Sequence, residues 1–470
     1  VGALAIVVAP FALVAGALAQ YTLPIRYTLF GIIFLALTLD ATDEGGFNSP
    51  LAPLGKVLVF NLNQSVPISA LALPAITFIM LFLLLLVIQR RMLGARVDGA
   101  APTAQPLLMA MAGSLTAVFV LVTLGMIRGG NLQMAKIQVQ SFVQVLLMGY
   151  LAAMAFRGMR DYKTLGRLIV VAASLRAVYV LIAAYNIAVR LGTEEIHAAA
   201  THGDSLLFSC ATVLLIVRFL EKPSGRAAMW CVALLPLLAL GMVANNRRLV
   251  WVEVAAGLLL FAIISRRSAM KRLLKRLAIM SLPLVIAYIA IGWNSQSKIF
   301  APVRTFRSVS DAKVDPSTMY RDTENYNLML TMRMNPLTGT GFGQPFAEIV
   351  TLPNISFFAE YRYLPHNSIL GLWAYTGALG FTGLSLVLIV AVYMAGRSYR
   401  RARTAEERIA AFMSIATIAI YAVHCWGDIG FSERRTVLLV GPALAIAGQL
   451  ACATGAWSAR TAKPALAKAA

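Results

Sequence analysis

One histidine sits where a long polar stretch gives way to an apolar run. His366, with Asn367 and Ser368, follows Pro365 and opens a segment that stays greasy to Ala395. A ring in the first turn of a helix meets the positive end of the helix dipole, which favours the neutral imidazole and leaves a nitrogen free to accept a proton. A general base needs that state. A histidine that merely caps a helix at a membrane interface would read the same way in isolation. Upstream, Arg321 lies in YRDTENYNLMLTMRM, directly before NPLTGTGFG (Asn335 to Gly343). From Glu324 to Met334 the pattern predicts an amphipathic helix on the membrane surface, with Tyr326, Leu330 and Met334 on one stripe and Arg321 near its start. Pro336 and the glycines then end it in a turn. The pair Arg247-Arg248 follows Asn245-Asn246 at the junction of two apolar runs. Two guanidinium groups there can clamp a phosphate bidentately or simply anchor the helix at the interface.

Other polar residues are less directed. Arg176 falls deep inside an apolar segment, which makes it a candidate substrate-binding residue that needs a partner, and Glu253 is the best acidic one. His424, beside Cys425, Trp426 and Asp428, reads as structural, as do His197 and His202 at the edges of a loop. The four cysteines stand singly with no ligand spacing, so they read as small hydrophobes and support neither a zinc site nor a disulfide framework.

The elements that must position these residues are membrane helices. The chain has 470 residues, 59% of them hydrophobic, with a mean hydropathy of +0.75. Apolar runs long enough to cross a bilayer core of roughly 30 Å recur throughout. They fall near 1–19, 26–40, 66–89, 106–127, 135–157, 165–190, 204–221, 226–244, 247–265, 274–293, 366–395, 408–425 and 436–454. The expected fold is therefore an all-α polytopic membrane protein with about twelve crossings, the first pair of runs being the least separated. The net charge of +21 sits in short loops at every second junction, such as Arg90-Arg91, Arg157 to Arg167, Arg266 to Arg276 and Arg397 to Arg408. That alternation is an orientation signal with anionic lipid head groups as its contacts, and it argues against nucleic acid. It places those loops in the cytoplasm and 294–365 on the far side. This outer segment carries its own basic residues (Lys298, Arg304, Arg307, Lys313, Arg321, Arg333 and Arg362), which suits an anion handled at that surface. No cleavable leader is expected, and a short disordered tail is expected over 456–470.

NNRRLVW (Asn245 to Trp251), Arg321 ahead of the NPxxGxGxG turn, and HNSILGLWAYTGALG (His366 to Gly380) occur in that order. Together they resemble the O-antigen ligase and polymerase superfamily over about 240–390. The sequence departs from the family pattern in its Arg-Arg doublet and in Asn325, where an aromatic residue is common. The resemblance implies a GT-C-like membrane fold divided into 1–245, a ligase/polymerase core over 246–395, terminal helices over 396–455 and the tail. It implies an inner-membrane enzyme working on the periplasmic side. The donor would be a glycan on undecaprenyl pyrophosphate and the acceptor the lipid A–core oligosaccharide, with no metal and no cofactor. His366 would be the base and Arg248 and Arg321 would hold the diphosphate, supported by Arg247, with Asn367 orienting His366. An O-antigen polymerase, a protein-glycosylating relative and a lipid-linked sugar transporter or flippase are the alternatives. The relative is disfavoured because the chain stops soon after its last helix, and the transporter because no inverted repeat is seen. The acidic group Asp40, Asp43 and Glu44 resembles the first outward loop of GT-C glycosyltransferases, where a carboxylate serves as base or metal ligand; a solvated loop rich in Asp, Glu and Gly is the better account. The sequence sets no oligomeric state.

Overall fold

The computed structural model describes residues 18, 23–39, 52–64, 73–93, 99–191, 199–266, 269–295, 297, 300, 303, 307, 316–352 and 360–458. Asp40, Asp43, Glu44, His197, Lys298, Arg304 and Lys313, most of the first predicted helix and the tail beyond Ser458 lie outside the described residues. Among the described residues the chain is helical, apart from one isolated bridge between Asn61 and Pro74. The helices are α1 (Ile25–Thr38), α2 (Ala52–Val59), α3 (Ala75–Met92), α4 (Gln105–Ile127), α5 (Leu132–Ala155), α6 (Met159–Leu191) and α7 (His202–Glu221). They continue with α8 (Gly225–Asn245), α9 (Leu249–Ile264), α10 (Ala269–Gly292), α11 (Pro316–Met334), α12 (Ser368–Arg401), α13 (Ala405–Gly427) and α14 (Thr436–Ala453).

Nine of these are long and apolar enough to cross a membrane, and α1, α9 and the Ile279–Gly292 part of α10 are shorter apolar helices. The protein is an all-α, multi-pass membrane protein. Helices satisfy their backbone groups internally, which a hydrocarbon environment demands. The predicted run 66–89 begins at Ala75, because Pro74 caps it in extended conformation. The helix expected from 366 begins at Ser368.

α14 is almost entirely buried and forms the centre of the bundle. It meets α5 at Gly441 and Gly149, where a Cβ on Gly441 would lie 2.8 Å from the Met148 side chain and one on Gly149 would lie 3.1 Å from the Gly441 carbonyl. In lipid no hydrophobic force drives helices together, so close backbone contact at small residues has to hold them.

The two ends of the bundle differ. At one end Glu221 takes Arg408 and the Tyr399 hydroxyl, Glu406 takes Lys222, and Arg266 donates to the Arg400 carbonyl. The basic loops collect here. The opposite end holds Arg321, His366 and the NPLTGTGFG run.

That run is built into a broken helix. α12 loses helical geometry at Gly377 (φ 59°, ψ −174°), and the freed groups pair with the turn. Ala378 and Leu379 donate to the carbonyls of Pro336 and Leu337 at 2.8 and 3.1 Å. Thr340 and Gly341 donate to the carbonyls of Ala374 and Tyr375 at 3.1 and 2.8 Å. Both chains need glycine. A Cβ on Gly339 (φ +63°) would lie 2.3 Å from the Thr376 nitrogen, and one on Gly377 would lie 2.3 Å from the Leu337 carbonyl carbon. Gln138 of α5 accepts from Gly343 N at 2.6 Å, and Arg128 donates to the Gly339 carbonyl. The C-terminal end of α11 is thus fastened to the interior of α12, whose own start follows His366.

Candidate functional site

α11 presents an unexpected face to the protein. Tyr326, Met329 and Met334 stay exposed, as a helix on a bilayer interface would leave them, while Glu324, Asn327 and Thr331 are buried. These three follow the i, i+3 and i+4 spacings of one helical face. Asn327 accepts from the Ile349 and Val350 amides and donates to the Val350 carbonyl, and Thr331 accepts from Ala347 N. The polar stripe therefore binds the returning loop backbone.

The top of the same stripe holds His366. Its backbone N–H donates to Glu324 Oε2 at 2.9 Å, and its ring Nδ1 lies 3.3 Å from Glu324 Oε1. The Glu324 side chain is 1% exposed and that of His366 27%. Tyr320, one turn earlier, donates to Glu324 Oε1 at 3.5 Å and meets the imidazole edge-on, with centroids 5.5 Å apart. Burial, then the neighbouring Glu324 carboxylate, pushes the Tyr320 phenol above its ordinary value, so it remains a donor. A carboxylate at Nδ1 fixes the tautomer that carries its proton there, leaving Nε2 as the acceptor.

Arg321 shares the face with Glu324, three residues before it. Its Nη1 donates at 2.9 Å to the Gly427 carbonyl at the end of α13. Leu249, the first residue of α9, packs against Gly427: a Cβ there would stand 2.6 Å from Leu249 Cδ1. This brings the Arg247-Arg248 junction to Arg321. Asn245 is buried and donates to the Thr201 carbonyl and Ser205 Oγ, at 3.4 and 3.3 Å, while Asn246 turns the chain in left-handed conformation (φ 53°). Arg247 is half-buried and Arg248 exposed. Arg247, Arg321, His366 and His424 all lie close enough to His202 to act on it electrostatically.

Residues 232–385 match the family model described as O-Antigen ligase. This segment, about a third of the chain, is similar to the O-antigen ligase family. No curated protein matches the chain. The superfamily belongs to a glycosyl-transfer-related enzyme class and acts on lipid-linked glycans. Its matched segment includes Arg247, Arg248, Glu253, Arg321, Glu324 and His366, and excludes Arg176, His202, His424 and Asp428.

One sequence expectation is corrected. Arg176 does not pair with Glu253: its Nε and Nη2 bind Asp204 at 2.8 and 2.7 Å, with both side chains fully buried. Arg435 adds a bond to the same carboxylate at 2.7 Å. Glu253 instead meets His424 Nδ1 at 2.7 Å and accepts from Ser209 Oγ at 2.8 Å. The Asn367 side-chain oxygen is turned to the helix start rather than to the His366 ring. Asn367 is the N-cap of α12, accepting from Leu370 N at 3.1 Å, because an asparagine oxygen there satisfies an amide the helix cannot. Glu324 holds His366, and sequence reading missed it. The available signal was its i+3 spacing from Arg321, but the partner lies 42 residues away. Of the four cysteines, Cys210 and Cys425 are buried as small hydrophobes, while Cys231 and Cys452 are half-buried.

Proposed function

We propose that the chain is an O-antigen ligase that moves a glycan from undecaprenyl pyrophosphate to the lipid A–core oligosaccharide. The reaction takes place at the periplasmic face of the inner membrane. His366, held by Glu324, is the base, and Arg321 with Arg247 holds the diphosphate. The observation that carries this reading is the His366–Glu324 pair, with Arg321 one turn away on the same helix face and the basic loops at the other end of the bundle.

The acceptor hydroxyl oxygen attacks the anomeric carbon as its proton passes to His366 Nε2. The bond from that carbon to the diphosphate oxygen breaks, and the diphosphate departs with the electron pair. Attack opposite the leaving group inverts the anomeric centre. Charge grows on the leaving oxygen, where guanidinium groups stabilise the transition state more than the ground state. Arg247 takes this role in preference to Arg248, because Arg247 is the half-buried member of the doublet and Arg248 the exposed one. Exposed apolar flanks such as those of α4 and α8 offer the polyprenyl tail a lipid-side path.

Incubating purified protein with a polyprenyl-diphosphate glycan, with and without lipid A–core, tests the reading. Glycan on lipid A–core alone is expected. Longer lipid-linked glycan in both reactions would make the protein a polymerase, and donor recovered unchanged in both would contradict transfer. Transfer is expected to persist in EDTA; loss restored by Mg²⁺ or Mn²⁺ would overturn the arginine-based mechanism.

A further inference from the structure

We infer that His202 is a third contact for the departing diphosphate, held in place by Asp428 between Arg247 and Arg321. The inference deepens the glycosyl-transfer reading and rests on it.

His202 is the first residue of α7, and its Nδ1 is in direct contact with Asp428 Oδ2. Residues 427 and 428 join the parts of the site. The Gly427 carbonyl takes Arg321, and the Asp428 carbonyl takes Ser368 Oγ at 3.0 Å, two residues after His366. The Asp428 carboxylate is 5% exposed and also accepts from Ile429 N at 2.8 Å. The other side of His202 is equally fixed. Asp204 accepts from Thr201 N and Oγ1 at 3.1 and 3.0 Å, and it is gripped by Arg176 and Arg435. The buried Arg176 thus has an indirect use, immobilising the start of the helix that carries His202.

This anchoring leaves a third of the His202 side chain exposed, whereas His424 nearby is 1% exposed. Arg247, Arg321, His366 and His424 oppose a positive charge on His202; a diphosphate set among them cancels that repulsion, and Asp428 at Nδ1 then holds the imidazolium as a charge-assisted N–H donor to a phosphate oxygen. A diphosphate offers two phosphoryl groups, one more than a monophosphate. Two arginines and an imidazolium can divide both between them.

The test measures the affinities of full-length protein for undecaprenyl diphosphate and undecaprenyl phosphate. In His202→Gln, diphosphate binding should weaken about tenfold or more while monophosphate binding stays within about twofold, so the preference collapses. His202→Lys, which keeps a cation, should retain most of the preference. A folded His202→Gln protein with the wild-type preference would overturn the inference, as would equal weakening for both lipids. If the glutamine variant does not fold, loss of the preference in His202→Lys overturns it. Transfer by His366→Ala is measured in parallel. Full activity there would remove the base assignment, whatever the affinity ratio at His202 shows.

Discussion

Among the described residues the protein contains two histidine–glutamate pairs of similar contact and opposite setting. His366 meets Glu324 at the end of the bundle where the polar loops gather, and a quarter of its side chain is exposed. His424 meets Glu253 inside the bundle, with 1% and 0% of their side chains exposed. In each case Nδ1 faces the carboxylate, so the difference is access. The first ring can offer Nε2 to a substrate hydroxyl. The second has Nε2 buried among described residues with no hydrogen-bond partner, and α9 and α13 are locked together through it. Sharing a chemical pair does not confer sharing a role; reach to the surface separates the pair proposed as the base from the brace.

The largest expected effect falls on the exposed pair. His366→Ala should lower the transfer rate by about 10²–10⁴-fold with donor affinity nearly unchanged, measured by single-turnover transfer and by donor binding. A similar loss in His424→Phe, per folded molecule, would break the contrast. Next come the arginines. Arg321→Ala and Arg247→Ala should each cost about 10²–10³-fold in transfer, and Arg248→Ala well under tenfold. The reverse order within the doublet would move the diphosphate to the exposed guanidinium. Glu324→Gln keeps the side chain's shape and removes its charge, and should cost about 10–100-fold in transfer, mostly in kcat. The smallest effect on activity belongs to the brace. Glu253→Gln should leave transfer within about twofold and lower unfolding stability by about 1–3 kcal/mol, read by thermal or denaturant unfolding. A stable Glu253→Gln protein that is inactive would assign the buried pair to catalysis.

The membrane-helix architecture was legible because twenty-residue apolar runs and basic loops are set by the bilayer itself. The placement of His366 and Arg321 at one end of the bundle was legible through local spacing around Pro336 and the glycines. The face of α11 was harder to read. Its polar stripe of Glu324, Asn327 and Thr331 turns inward to bind loop backbone, and its apolar stripe turns outward, the inverse of a helix on a soluble core. The partner of Arg176 was misjudged because depth along a helix does not report azimuth. Asp204 at the start of α7 meets Arg176, whereas Glu253 faces α7 and α13 and is taken by Ser209 and His424. Asn367 carried a readable cap signal, an asparagine directly before an apolar helix, which the proximity of His366 obscured. His202 and Asp428 were out of reach of local patterns, since 226 positions separate them in the chain and only the fold joins them.

The most direct test of the central claim is a double-mutant cycle on single-turnover transfer with His366→Ala, Glu324→Gln and the combined variant. If Glu324 acts by holding His366, the double variant should transfer no more slowly than His366→Ala alone, within about twofold. Multiplied losses in the double variant would show that the two side chains act separately and would contradict the account.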